Sequence, residues 1–527
     1  MTKMIIKNAE IIDGTGKPGY KTDISLEKDK ISAIGKIESK NAVPVLDASG
    51  LVIAPGFVDI HSHSDYYLLI DPRAESKIMQ GVTTEVGGNC GYSAAPVSGN
   101  LLKEREKSYQ KQFGIDHNWH DLEGYFEKLK KQGSAVNMAP LLGLNTIRGS
   151  ILGYENRAPQ KAEMGKMEKI VLEGFEQGAF GMSVGLIYPP SCFSTTAELI
   201  QIFKIVKKKD GLFTCHMRSE GEKLLEAIAE TIQIGREAGV RTQISHLKTS
   251  GNKNWNKINK AFSLIESALT SGLDIACDRY PYTASNTGLN ALLPDWVFEG
   301  GTKKQMDRLK GRKSSEIIKK EILKNHPEPE YWETVMISQV VTDNNKDLEG
   351  KRVSEGARLR NKDIFEFIFD LLIEEQGQVE AIYFCMCEDN FREIIKKDYV
   401  MLGSDSGARR IDGPLGIGNP HPRGFGSFPR LLGKYVREEK IFDLPSAIKK
   451  ITSDPCERIK IKDRGIIKAG NYADLVLFDP KKIIDTATYE KPKQYPLGIE
   501  YVFVNGEMAI NKGVPTGILA GIGLRKI

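Results

Sequence analysis

The sequence predicts an α/β protein built on a parallel sheet, and three observations carry that reading. Eight short apolar runs recur through the middle of the 527-residue chain, each ending in polar or small residues. Helical patterns lie between most of them, such as AEMGKMEKIVLEGFEQG and EKLLEAIAETIQIGREAG. Both ends of the chain read instead as short strands and turns. Strand–helix alternation in this order gives parallel strands joined by crossover helices, as either a closed eight-fold barrel or an open sheet.

Taken in order, segment 1–54 opens with the apolar run MIIKNAEII, turns through DGTGKPG, and alternates in DISLEKDKISAIG. Segment 462–527 is similar, and VNG within PLGIEYVFVNGEMAINKGVPTG marks a hairpin. Two β-rich ends around a long middle predict one small β-domain made from both termini. The middle, 55–461, carries the runs GFVDIHSHSD (56–65), GVTTEVGGNC (81–90), AVNMAPLLG (135–143), GAFGMSVGL (178–186), GLFTCHMRSE (211–220), RTQISHLK (241–248), LDIACDRYPY (273–282) and YVMLGSDSG (399–407). A further run, VEAIYFCMCED (379–389), does not fit a count of eight. The stretch 287–378 is charged, mostly helical and too long for one connection, so it reads as an insertion over one end of the barrel.

Composition excludes several classes. The net charge is +5, from 74 basic and 69 acidic residues, and the basic runs KKKD and GRKSSEIIKK are short. Solvated helix faces account for them, so no nucleic-acid partner is expected. No run reaches the roughly 18 apolar residues of a membrane span, and MTKMIIKNAEIIDGTGK turns polar too soon for a signal peptide. A cytoplasmic protein with no membrane partner is expected. Seven scattered cysteines fit reduced thiols, and the lone close pair, CMC, is not a zinc pattern.

Chemistry gathers at the C-terminal ends of the runs. His61 and His63 end the first, Cys90 the second, His216 the fifth, His246 the sixth and Asp405 the eighth. In a barrel, active-site groups come from this edge. Residues i and i+2 of a strand share a side, so His61 and His63 could grip one metal ion, although two loop histidines bonded to backbone are the plainer alternative. His216 and His246 could each be satisfied cleft histidines, but their like placement at successive strand ends favours a shared role. Asp405 could simply cap the turn of GSDSG, or serve as a carboxylate that takes a proton from water beside a divalent cation. Cys90 could be packing, redox thiol, nucleophile or ligand. No resolving cysteine adjoins it, and a thiolate with two imidazoles makes a good zinc set with an open position. A phosphate cradle is not supported, since GGNCG lacks both the G-x-G-x-x-G and Gly-Lys-Ser/Thr patterns. Of the remaining histidines, His117, His120 and His326 are read as surface residues, and His421 stays open.

Together, PGFVDIHSHSD, GVTTEVGGNCGYSAAP, GLIYPP, TCHMRSE, QISHLK, DRYPYTAS and GSDSG…HPRGFGSFPRLLG resemble the N-acyl-D-amino-acid deacylases, within the amidohydrolase superfamily. The tail ITSDPCERIKIKDRGIIKAGNYADLVLFDP resembles that superfamily's exit into its β-domain, and the match runs in order from about residue 4 to residue 515. The resemblance implies a (β/α)8 TIM-like barrel with a small β-sandwich from both termini, and a lid-like insertion around 287–345. It implies zinc held tightly by Cys90, His216 and His246, with a second, weaker position at His61 and His63 that Cys90 could bridge. Asp405 matches the catalytic base and acid. Arg423, Lys248 and Tyr280 match contacts to the substrate carboxylate, and Met386 matches a wall of the side-chain pocket. Where several relatives carry Gly-Ser, this chain has Ser285 and Asn286, so the contact of Ser285 with the carboxylate is a departure; Ser406 replaces a common glycine.

The implied reaction is zinc-dependent hydrolysis of a small N-acylated D-amino acid to a D-amino acid and a carboxylate. Two alternatives stand beside it. Cyclic-amide hydrolases such as dihydroorotases and hydantoinases share the barrel but usually bridge two metals with a carboxylated lysine on the fourth strand, and GAFGMSVGLIYPP has none. A non-catalytic zinc-binding barrel would not need Asp405 beside an open ligand position.

Overall fold

The computed structural model of the chain describes residues 4–38 and 43–526. Residues 1–3, 39–42 and 527, part of the expected terminal β-domain, lie outside it.

Eight parallel strands form the central sheet: β1 (Phe57–Asp59), β2 (Val82–Gly87), β3 (Asn137–Gly143), β4 (Gly181–Gly185), β5 (Leu212–His216), β6 (Arg241–Ile244), β7 (Ile275–Arg279) and β8 (Val400–Leu402). Each pairs with the next, and all eight fall within the eight predicted runs. The strands read as near-continuous apolar runs because both faces are covered. In β3, Ala139 and Leu141 point inward to a cluster with Ile60, Phe180, Leu212 and Met401, while Met138 and Leu142 join the outer core beneath the helices. Each such fully buried large apolar side chain contributes about 1.5–3 kcal/mol. The crossover helix Leu224–Ala238 shows why the connections are helical. Leu224, Ala227, Ile228, Thr231 and Gly235 are buried at helical spacing, and Gly239 closes the helix at φ +66°.

The barrel closes between β1 and β8, and the closure runs through the candidate site. Ser62 bridges Ser406, the Asp405 N–H donates to the His61 carbonyl over 2.8 Å, and the His63 N–H donates to Ser406 over 3.3 Å. Gly403 permits this approach, because a Cβ there would sit 2.6 Å from the His61 Cβ.

A four-stranded sheet (Met4–Lys7, Asp23–Glu27, Lys30–Gly35, Val45–Asp47) lies against a seven-stranded sheet that mixes N-terminal strands with Leu475–Phe478, Ile499–Val504 and Glu507–Asn511. Ile6, Ile24 and Leu26 meet Ile53, Leu475 and Phe503 in one core between them. The further run at 379–389 supplies Glu380–Tyr383, the middle of a three-stranded antiparallel sheet with Ser285–Gly288 and Val335–Gln339. That sheet and the helices between it carry their own apolar core, including Phe298, Trp332 and Ile368. No described helix is long and apolar enough to cross a membrane.

Candidate metal centre

Six of the eleven residues singled out in the sequence converge at the C-terminal end of the barrel. The Cys90 Sγ lies 3.3 Å from His61 Nε2 and 3.5 Å from His246 Nε2, and His246 Nε2 lies 2.8 Å from His216 Nδ1. Asp405 Oδ1 lies 3.3 Å from His61 Nε2 and 3.1 Å from His63 Nε2. The donors fall into two overlapping groups, Cys90–His216–His246 and His61–His63–Cys90–Asp405, with Cys90 common to both.

Carboxylates behind the imidazoles turn their nitrogens toward this point. Asp278 lies 2.8 Å from His61 Nδ1, and Glu220 lies 2.8 Å from His246 Nδ1. Asp278 accepts the Nδ1 proton of His61, so that Nε2 presents its lone pair inward, as metal-binding histidines do; His246 Nδ1 lies between Glu220 and the Lys248 ammonium, whose Nζ is 2.7 Å away. The remaining ring nitrogen of His216, Nε2, is buried without a partner. A thiol sulfur and several imidazole lone pairs pressed within hydrogen-bonding distance are a donor set that fits zinc.

Local backbone explains how these groups are aimed. Cys90, His246 and Asp405 all have positive φ, at 51°, 37° and 51°. For residues with a Cβ this is unfavourable by about 1–2 kcal/mol each, and such strain clusters at functional sites. The turn at Cys90 is held by Ser183 of β4, which donates to Gly88 over 2.5 Å and accepts from the Gly91 N–H over 2.9 Å. Gly91, at φ +82°, admits no side chain, since a Cβ would overlap Asn145 Oδ1. The fourth strand thus carries a serine that supports the cysteine turn, and no lysine.

Charges in the site reinforce one another. Burial alone would raise the Cys90 thiol, but His61 and His246 hold it well below its ordinary value. Burial likewise opposes the ionised Asp405, and Arg423, His246 and His61 outweigh it, leaving the carboxyl well below the usual range. His63 moves the other way: burial disfavours its cation, but Asp405 and Cys90 raise it to about 9.

The site opens on a cavity of about 530 Å³ lined also by Arg423, Lys248, Tyr280 and Ser285. Arg423 begins the helix Arg423–Arg430 and places Nη1 2.8 Å from Asp405 Oδ2. Tyr280 lies between Arg423 and Arg279, with the guanidiniums 4.5 and 4.3 Å from its ring centroid, and its buried hydroxyl has no partner. Lys248 is already engaged, 2.5 Å from Glu220. The Ser285 hydroxyl lies 3.7 Å from the Cys385 sulfur. Met386 is placed differently from the sequence expectation of a pocket wall. It packs with Tyr280 and Tyr282 and accepts from Arg279 over 3.0 Å, behind the lining.

Three residues of the site escaped the sequence reading. Glu220 and Asp278 are the carboxylates just described. Lys77, fully buried, donates to Asp59, Ser404 and the Ser406 carbonyl, each at 2.8 Å, and lies 2.9 Å from Glu85. It therefore ties the first strand end to both neighbours of Asp405. His421 lines the cavity, its Nδ1 accepting from the Arg423 N–H and its Nε2 donating to the Ala284 carbonyl. His117, read as a surface residue, is instead buried and stacked on Trp119 at 3.9 Å, because the segment around it packs under Tyr66.

Parallel barrel, closing seam and convergent His, Cys and carboxylate donors together define a metal-dependent hydrolase of the amidohydrolase class. The family model described as "Amidohydrolase family" matches residues 44–192 and 351–510. The chain is 34% identical to a D-aminoacylase from Alcaligenes xylosoxydans xylosoxydans, over 98% of this chain and 96% of that one. It is also similar to the crystal structure of an N-acyl-D-glutamate deacylase from Bordetella bronchiseptica, complexed with zinc and a phosphonate inhibitor, at 30% identity and a TM-score of 0.84 over 99% of each chain. A D-hydantoinase from Thermus sp., at 16% identity and a TM-score of 0.56 over 99% of each chain, shares the fold alone. The chain belongs to the amidohydrolase family and, within it, to the N-acyl-D-amino-acid deacylases.

Proposed function

We propose that this enzyme hydrolyses N-acyl-D-amino acids to a D-amino acid and a carboxylate, with Cys90, His216 and His246 holding a tight zinc and His61 and His63 offering a weaker second position. Zinc bound there supplies a Lewis acid for the amide carbonyl and lowers the pKa of water. Asp405 takes the proton of the attacking water as the C–O bond forms. It then delivers that proton to the nitrogen as the C–N bond breaks, so one carboxylate serves as base and acid. Arg423 binds the substrate α-carboxylate with guanidinium N–H groups left beside its ion pair with Asp405 and the Nη2 donation to the Asn286 carbonyl, and the unpartnered Tyr280 hydroxyl donates to the same group. Lys248 acts there too, from its place on Glu220. Ser285 borders this subsite, and Met386 shapes it only by backing Tyr280. Chirality follows if the carboxylate sits at Arg423, the scissile bond at Asp405 and the side chain in the remaining space.

The observation carrying this reading is a single buried carboxylate, Asp405, with one oxygen facing His61 and His63 and the other on Arg423. Its test is a panel of N-acetyl-D- and N-acetyl-L-amino acids, with dihydropyrimidine and hydantoin substrates alongside. Acetate released from D-substrates supports the reading; ring opening without deacylation would replace it with the cyclic-amide alternative.

A further inference from the structure

The D-aminoacylase and the N-acyl-D-glutamate deacylase named above are about equally similar to this chain, so similarity does not choose its substrate side chain. The charges lining the cavity do bear on it. Three lysine and arginine side chains line it: Lys248, Arg409 and Arg423. Lys248 is bound to Glu220 and Arg423 to Asp405. Glu380, the other acidic lining residue, accepts from Asn286 over 3.0 Å. Arg409 alone of these three has no carboxylate partner among the described residues. Its guanidinium lies 5.1 Å from the Tyr67 ring centroid, and Nη1 reaches Gln339 Oε1 only at 3.5 Å. Tyr67 and Gln339 both line the cavity, so the guanidinium is bracketed within it. Its Nε is buried with no acceptor.

The next residue sharpens the contrast. Arg410 is 3.3 Å from Asp71, 3.4 Å from Glu75 and 2.8 Å from Asp412. The chain thus carries two successive arginines, neutralises the one facing away from the cavity, and leaves the one within it unpaired. A guanidinium with spare, converging N–H donors is built for a carboxylate.

We propose that Arg409 receives a second substrate carboxylate, beyond the α-carboxylate, and so selects N-acyl-D-amino acids that carry two carboxylates. The inference rests on the deacylase reading above. The second carboxylate could come from the amino-acid side chain or from the acyl group, and the chemistry Arg409 recognises is the same.

The test compares kcat/KM for N-acetyl-D-glutamate with the nearly isosteric N-acetyl-D-glutamine, and for N-succinyl-D-leucine with N-butanoyl-D-leucine. One acidic substrate should exceed its neutral counterpart by at least about tenfold, and which one does so locates the carboxylate. Arg409→Met should bring that ratio close to one, and Arg409→Lys should keep most of it. A wild-type enzyme that favours neither acid, or a ratio that survives Arg409→Met, overturns the proposal. Calorimetric binding of D-glutamate against D-glutamine, and of succinate against butyrate, is measured on the same proteins. If no N-acyl-D-amino acid is cleaved, the deacylase reading fails, while these binding ratios still decide for or against Arg409.

Discussion

Asp405 and Arg423 form a buried ion pair, Oδ2 to Nη1 at 2.8 Å, while Oδ1 of the same carboxylate faces His61 and His63. The candidate base and the candidate anchor for the substrate carboxylate are therefore in direct contact. On the proposed roles, substrate binding and proton transfer share one electrostatic unit.

Replacing Asp405 with Asn should lower kcat by about 10²–10⁴-fold, the usual worth of a positioned acid–base group. Zinc held by Cys90, His216 and His246 should remain. Parallel metal analysis and steady-state kinetics check this; a near-normal rate would remove Asp405 from the mechanism.

Arg423→Met should raise KM for substrates with a free α-carboxylate, and it should also move the pH profile. Burial pushes the Asp405 carboxyl up, and Arg423 is the foremost group pulling it down. Without Arg423 its pKa rises, so the acid limb of kcat/KM should shift to higher pH. An unmoved limb would mean that another group sets it.

Cys90→Ser should lower zinc affinity by more than about tenfold, since it removes the sulfur common to both donor groups. Zinc per chain after dialysis against a weak chelator reads this directly, and unchanged stoichiometry would return Cys90 to packing.

Lys77→Met should destabilise the protein by about 3–5 kcal/mol, because Asp59 and Glu85 would be left buried without their cation. Urea unfolding of the two proteins measures it. A loss below about 1 kcal/mol would show that water or a proton replaces the lysine readily.

His117 should make stability depend on acidity. Burial, with Arg105 adding to it, lowers its pKa from 6.5 to about 4. Between those values the unfolded chain binds a proton that the folded protein does not, so stability falls as pH drops from 6.5 toward 4. The contribution reaches about 3 kcal/mol. Measured by unfolding across this range, wild type should lose about this much stability relative to His117→Phe as pH falls; parallel curves would contradict it.

The barrel was legible because each strand is buried on both faces and reads as an unbroken apolar run. His61, Cys90, His216, His246 and Asp405 were legible for a related reason: each interrupts or ends such a run. Glu220 and Lys77 sit in polar or mixed stretches where no periodicity marks them. Lys77 meets Ser404 only because the barrel closes between its first and eighth strands. Asp278 did end an apolar run, in CDRYPY, and the strand-end rule that found the histidines could have found it. His117 was misread because a polar local sequence hides an aromatic stack assembled from Tyr66 and Trp119.

Deacylation should require zinc at the cysteine–histidine site. This requirement is tested most directly by stripping the protein with a chelator and titrating zinc back while recording acetate release from an N-acetyl-D-amino acid. There should be no rate without metal, and the rate should rise with the first equivalent of zinc bound. A stripped protein that keeps its rate, or a fully loaded one that releases no acetate from any D-substrate, would contradict it.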